Sequence, residues 1–334
     1  WSSDVCSSDL DGSDQSLLLG QSYGCGRVTL NSGVSGRAGP GDYHCYNASA
    51  DSYNYQPFNL LQTPQKRSNA FLLGTYRFSD SVEGYINTWF SKTESASVIA
   101  PIPIFSNGDS ILVSAQSYYN PFGVNFGTDR TTGTSYNDLN TRATVLGNRS
   151  YQYITDNFQI SPGLRGRFGD SSWQWDATFN YGKVKQISIN NGFVDYAAFN
   201  QAVGPSFVDR DGSVKCGRAG VAIDGCTPLN FFNLNDSANL ATLHGMVVNP
   251  TITSMYTVRQ LEANANGSLF ELPAGTVSLA AGISYRKERS TTVSDPLWTG
   301  DEKGLCGVIE FCSSNLSGSF DVKDAYAEAL FPLL

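Results

Sequence analysis

The side chains best suited to chemistry in this chain are seven cysteines and two histidines. Cys6 lies in the opening stretch WSSDVCSSDL, a low-complexity Ser/Asp run that resembles translated adapter text, so residues 1–10 are set apart as a non-native artefact. The other six fall into sequence-local couples: Cys25 with Cys45, Cys216 with Cys226, and Cys306 with Cys312. Proximity alone suggests these pairings, because six cysteines allow fifteen connectivities. Disulfides fit an oxidising compartment, where local bridges restrict the unfolded freedom of long loops. A zinc site is the rival, but there is no C-x-x-C and only His44 and His244 are available; unpaired structural cysteines stay open as a third reading. His244, among Leu243, Gly245 and Met246, reads as an ordinary loop histidine.

No G-x-S-x-G, H-E-x-x-H or P-loop sequence occurs, so no catalytic residue, cofactor or metal is expected and the chain reads as a non-enzyme. A net charge of −8 argues against nucleic acid as a partner, since phosphate binding needs a basic surface. Charged residues are only 16%, aromatics reach 12%, and there are 33 glycines, a β-rich profile with an uncharged polar surface. No apolar run approaches the roughly 18 residues of a membrane helix, and no complete signal peptide is visible. Any membrane role therefore belongs to strands.

The elements that would position these residues are three hairpins with period-two alternation. The first runs 67–78, turns at Ser79-Asp80-Ser81 and returns along 82–93. The second runs 151–168, turns at 169–172 and returns along 173–188; the third runs 256–272, turns at Pro273-Ala274-Gly275 and returns along 276–290. A last strand covers 321–334, which makes about seven strands from residue 67 onward, and one more is expected near Ser16–Tyr23. Alternate residues on a strand face opposite ways. Trp173, Trp175, Ala177, Phe179 and Tyr181 thus oppose Gln174, Asp176, Thr178 and Asn180. The first hairpin is less tidy, because Phe71 and Leu73 share their segment with Leu72 and Phe78 on the other face.

Arms this long exceed the five or six residues usual in soluble proteins, whereas about 9 to 11 tilted residues cross a bilayer. Long connections at 94–150, 189–255 and 291–320 alternate with the tight turns. That alternation predicts an all-β fold, part of a large antiparallel transmembrane β-barrel with short periplasmic turns and long extracellular loops. The apolar face then meets outer-membrane lipid, with Phe168, Trp173 and Trp175 in the periplasmic aromatic girdle. Arg165, Arg167, Arg286, Glu288, Asp324 and Glu328 face the lumen, where they either meet a substrate or plug or pair with one another. Loop aromatics Tyr118, Tyr119, Phe231 and Phe232 either stack on a ligand or pack the loops together.

Several segments resemble TonB-dependent outer-membrane receptors of the large proteobacterial type. Pro57-Phe58-Asn59-Leu60-Leu61-Gln62-Thr63-Pro64-Gln65-Lys66-Arg67, leading into Asn69-Ala70-Phe71-Leu72, is similar to the entry into an early barrel strand. Tyr119-Asn120-Pro121-Phe122-Gly123 and Gly225-Cys226-Thr227-Pro228-Leu229-Asn230-Phe231-Phe232 resemble loop motifs of those proteins. The match is closest at Ala281-Gly282-Ile283-Ser284-Tyr285-Arg286-Lys287-Glu288 and at Gly318-Ser319-Phe320-Asp321-Val322-Lys323-Asp324-Ala325-Tyr326-Ala327-Glu328.

The resemblance implies a bacterial outer-membrane location, a 22-stranded barrel around a plug, and a partner complex TonB-ExbB-ExbD engaged through the plug region. It also implies active uptake of a scarce ligand, such as a siderophore, a vitamin or an oligosaccharide. The domain reading is an early barrel strand and extracellular loop over 11–66 and a partial barrel over 67–334. A plug, a TonB-contacting box and a terminal aromatic are missing, so the chain reads as a fragment truncated at both ends. Two other functions remain open: a passive porin-like barrel, and a secreted β-rich glycan-binding or adhesin domain.

Overall fold

A computed structural model describes residues 9–11, 23–60, 62–300, 305–310 and 312–333. Its frame is one seven-stranded antiparallel sheet in which every strand pairs with its sequence neighbour. The strands are β1 (Gln65–Ser79), β2 (Val82–Ile99), β3 (Arg149–Arg167), β4 (Gln174–Asn191), β5 (Thr251–Leu272), β6 (Gly275–Ser294) and β7 (Leu316–Leu330). They run from 15 to 22 residues, three to four times the usual length. Each tight turn sits at one end: Asp80-Ser81 after β1, 168–173 after β3 and Pro273-Ala274 after β5. The three long connections leave from the other end.

The fold is thus mostly β, and the sheet is open. Among the described residues β1 pairs only with β2, and β7 only with β6, so no closed barrel forms. The strand expected near 16–23 lies outside the described residues apart from Tyr23. Of the segment 11–66, read as an early barrel strand and extracellular loop, residues 23–60 and 62–64 hold no long strand, and the stretch where the early strand was expected falls outside the described residues. Arg27–Leu30 and Tyr43–Cys45 instead join Asp9–Asp11, Pro103–Phe105 and Asp138–Arg142 in a separate five-stranded sheet. Residues 9 and 10 of the supposed artefact are therefore paired into that sheet.

Partners across the ladders share a face, so the registers assign every side chain to one of two faces. One face carries, toward the tight turns, Ile86, Leu164, Trp175, Ala177, Phe179, Leu261, Ala263, Ala281, Ile283 and Ala325. The other carries Asn87, Ser161, Thr178, Asn180, Gln260, Asn264, Ser284 and Asp324. Among the described residues no second layer covers the apolar face: Leu261 is 56%, Ile283 64% and Phe168 56% exposed. Phe71 and Leu73, the residues that make the alternation of the first hairpin untidy, stand on the polar face of β1, at the open edge.

The polar face is knitted by side chains rather than filled. Asn180 accepts from Gln159 (3.1 Å) and Ser161 (3.0 Å), Asn264 donates to Asp176 (3.1 Å), and Tyr326 donates to Asn264 (3.1 Å). Glycines there make room for large neighbours. A Cβ on Gly163 would lie 2.2 Å from the Tyr85 ring, and one on Gly282 would lie 2.3 Å from the Tyr326 ring, so only glycine lets these rings lie flat on the adjacent strand. Pro162 sits inside β3 because the ladder to β4 skips Ser161 and Pro162, which spares the missing N–H.

The hydrophobic core lies elsewhere. Ile102, Ile104, Ile111, Phe126, Leu139, Phe193, Phe199, Leu229, Phe231, Phe232 and Trp298 are all fully buried, and each belongs to a long connection. With Val28, Leu30 and Tyr43 they pack one cluster. The connections are therefore not extended loops but a folded cap. It holds α1 (Ala48–Asp51), α2 (Tyr196–Ala202) and α3 (Leu240–Gly245) besides the short strands. The cap leans over the polar face only: the strand residues it touches, Tyr151 and Ile252, and the buried Ser91, Arg149, Ser188, Asn190 and Ser294 all alternate onto that face.

Candidate functional site

Two surfaces could act on something outside the chain: a cleft in the cap and the uncovered sheet face. The cleft has a volume of about 890 Å³ and is lined by Leu112, Gln116, Asn125, Arg130, Tyr196, Asn200, Gln201, Arg218 and Ile223 among others. Its frame is rigid. Asp195 caps α2 by accepting from the Ala198 N–H (2.8 Å), Asn200 on α2 accepts from Leu112 N–H (2.8 Å), and Asn125 accepts from Ala115 N–H (2.7 Å). Arg130 stacks 4.3 Å from the Tyr196 ring and donates to the Cys306 carbonyl (3.1 Å), which fixes its charge at the wall. The lining holds two arginines and no carboxylate, so the cleft favours a ligand with an anionic or carbonyl oxygen.

Of the four loop aromatics, Phe231 and Phe232 are not available to a ligand. They are 1% exposed, Phe231 edge-on to Phe199 at 5.3 Å and Phe232 within 5.5 Å of Phe122 and Phe126. The segment around them is apolar at every second or third position, which marks core as readily as it marks a stacking platform. Tyr118 and Tyr119 are half-buried and edge-on to each other at 5.2 Å; Arg37 lies 3.5 Å over the Tyr118 ring and donates to the Tyr118 carbonyl (3.0 Å). They hold the N-terminal part of the cap. Asn120 works likewise, donating to the carbonyls of Ser114 (2.9 Å) and Val124 (2.8 Å), and Asn230 donates to Ser35 (2.9 Å).

The six cysteines form three bonds, Cys25–Cys45, Cys216–Cys226 and Cys306–Cys312, all in the cap. His44 meets Asn31 (2.8 Å) and Asp51 (3.4 Å), His244 is exposed in α3, and no metal-holding group exists among the described residues. The six charges expected to share a face do so. Arg165 pairs with Glu83 (Nε to Oε1, 2.9 Å), Arg286 lies 2.8 Å from Glu288, and Asp324 accepts from Ser284 (3.2 Å). No ion pair of Arg167, Asp324 or Glu328 is found among the described residues.

Sequence reading missed a partly buried charge cluster where cap meets sheet. Arg149, the first residue of β3, pairs with Glu310 and donates to the Ala100 carbonyl (3.2 Å). Asp109 accepts from the Glu310 N–H (3.0 Å) and the Phe105 N–H (2.7 Å). Burial pushes the Asp109 carboxyl up to about 7, against those two hydrogen bonds, with Glu310 and Asp138 adding to the rise. Burial also raises Glu310, opposed by the adjacent Arg149. Nothing in the spacing of these residues joins them; only the loop paths do.

Neither family models nor characterised proteins match this chain. Function therefore has to be read from the surfaces themselves, and the uncovered face of the sheet is the more informative.

On that face, counting away from the tight turns, the first charged residues are Lys66, Lys92, Asp156, Lys183, Arg259, Lys287 and Lys323 on β1 to β7 in turn. They do not lie along one register. Lys66 opposes Glu94, two residues beyond Lys92, whereas Asp156 faces Lys92. Lys183 opposes Phe158, Arg259 opposes Tyr181 and Lys287, and Lys323 opposes Tyr285, each new step lying two residues nearer the turns. Four such steps over six strand spacings give about 1.3 residues per strand. With ~3.3 Å per residue and ~4.8 Å between strands, the boundary crosses the ladders at about 40°.

The turns drift the same way: Val82, which follows the first turn, aligns through Gly166 and Trp175 with Ala265, well short of Leu272 where β5 ends. Between the two limits lies an apolar band. From Lys92 to Val82 it spans ten residues, or about 25 Å once tilted. Aromatics edge it, Phe90, Phe158, Tyr181 and Tyr285 beside the charges and Phe168 and Trp175 beside the turns.

Proposed function

We propose that this chain is part of the wall and outer cap of an outer-membrane β-barrel that takes up a small ligand, as in a TonB-dependent receptor. The slanted apolar band carries the reading. A sheet that spans a bilayer has strands tilted by roughly 35–45°, an apolar belt about 25 Å tall and aromatic girdles at both limits. A horizontal lipid boundary must then cut the hydrogen-bond ladders obliquely. A sheet buried against a second protein layer has no reason to shift its apolar residues by one or two positions per strand. Among the described residues the edges of β1 and β7 are open, and hydrocarbon does not tolerate their unpaired backbone groups, so this reading requires further strands to complete the wall.

The cap over the polar face fits an extracellular gate. Its disulfides suit a compartment where thiols are not kept reduced, and its cleft offers Arg130 and Arg218 to an oxygen-rich ligand such as a siderophore, a vitamin or an acidic oligosaccharide. Energy for uptake would come from a TonB-ExbB-ExbD complex through a plug. Cells carrying the whole gene test this. Ligand accumulation should stop when the inner-membrane proton gradient is collapsed, whereas surface binding should persist. Uptake that continues without the gradient would leave a passive barrel. Partition of this chain into the aqueous phase of a cloud-point detergent would remove the membrane reading itself.

A further inference from the structure

We propose that the cationic end of the apolar band is a seat for phosphate-bearing lipid headgroups, centred on Lys183, Arg259, Lys287 and Arg289; this rests on the membrane reading above. The boundary is biased in sign. Six of its seven first charges are basic, in a chain with 30 acidic and 22 basic residues. A boundary that only needed charge to reach water would draw on both signs, because carboxylates also mark an interface.

The bias is sharpest on three neighbouring strands. Arg259 and Lys287 stand directly opposite each other, and one step outward Thr257 has Lys183 on one side and Arg289 on the other. Like charges directly across a ladder repel, so this arrangement costs stability unless an anion lies between them. Glu262 and Glu288, the nearest carboxylates on β5 and β6, alternate onto the other face. Asp321 on β7 stands directly opposite Lys287 and Asp156 on β3 lies diagonal to Lys183 on the same face, yet among the described residues neither forms an ion pair within 4 Å with any of the four cations. The four lie within a patch of about 10 by 7 Å, the size of one headgroup. Tyr181 opposes Arg259, its ring 6.0 Å from the guanidinium, and Tyr285 flanks Lys287 on the turn side, a rim suited to glycerol and ester groups. The occupant is an anionic lipid rather than a free anion, because the cations sit at the edge of the apolar band and not in a cavity.

The test uses the full chain in neutral-detergent micelles doped with phosphatidic acid or, in parallel, phosphatidylcholine. Phosphatidic acid should bind the unaltered protein more tightly, and Lys183→Gln/Arg259→Gln/Lys287→Gln should weaken it about a hundredfold. Lys183→Arg/Lys287→Arg should bind as the parent does, and Arg165→Gln on the opposite face should leave the preference intact. Equal binding of both lipids by a micelle-embedded protein overturns this inference alone. Inorganic phosphate displacing the lipid at equal concentration overturns the choice of a lipid. A protein that stays outside the micelles overturns the inference and the membrane reading together.

Discussion

Adjacent alanines on β6 offer a direct comparison of the two faces. Ala281 lies on the apolar face between Ala265 and Ala327, and Ala280 lies on the polar face between Asn266 and Glu328. Ala281 is six residues turnward of Lys287, about 15 Å below the charged boundary at the ~40° tilt, close to the middle of a ~25 Å band. An arginine there would be held near the bilayer midplane, at a cost of about 2–4 kcal/mol. The same residue at position 280 would meet water and the Glu328 carboxylate, with a change near zero. Both neighbours of Ala281 are alanines, so steric crowding does not account for a difference. Urea titration of the protein folded into phospholipid vesicles, read by tryptophan fluorescence, should show Ala281→Arg destabilised and Ala280→Arg unchanged. Equal losses, or a larger loss for Ala280→Arg, would refute the assignment of faces.

Gly163→Ala puts a Cβ 2.2 Å from the Tyr85 ring and should cost about 1–3 kcal/mol in the same titration, with much of the loss recovered in Gly163→Ala/Tyr85→Ser. Removing the Cys216–Cys226 bond by Cys216→Ser/Cys226→Ser should cost the cap about 3 kcal/mol of thermal stability, the expectation for so short a loop. Arg149→Ala leaves Glu310 without its partner but still within reach of water and should cost about 2 kcal/mol, whereas Arg149→Met/Glu310→Gln should cost less. Asp109 holds its proton more tightly folded than unfolded, so stability is fully present below the ordinary carboxylate range and is lost as pH rises toward about 7. The cap's melting midpoint should therefore fall between pH 4 and 7 and level off above, and Asp109→Asn should flatten that slope.

The hairpins were legible because their signal is local. Alternation such as Trp175, Ala177, Phe179 and Tyr181 against Gln174, Asp176 and Thr178 repeats every second residue, and a two-residue turn such as Asp80-Ser81 fixes its register. The three cysteine couples were legible for the same reason, since short separations favour closure. The cap was not. Its core joins Val28, Ile104, Phe193, Phe231 and Trp298 across most of the chain, and its strands are two to five residues long, too short to show a period. Phe231 and Phe232 were candidates for stacking on a ligand because an aromatic pair in a loop carries no mark of burial. The Asp109–Glu310–Arg149 cluster also depends on loop paths alone. The slanted boundary needed the ladder registers, for each first charge is unremarkable on its own strand.

Depth-dependent quenching of single tryptophans puts the membrane reading to its most direct test. In vesicles of lipids brominated at mid-chain, a variant retaining only Trp175, on the apolar face, should be strongly quenched, and one retaining only Trp298, buried in the cap, should not. If Trp175 escapes the bromines and is instead reached by aqueous iodide, lipid does not cover that face and the account fails.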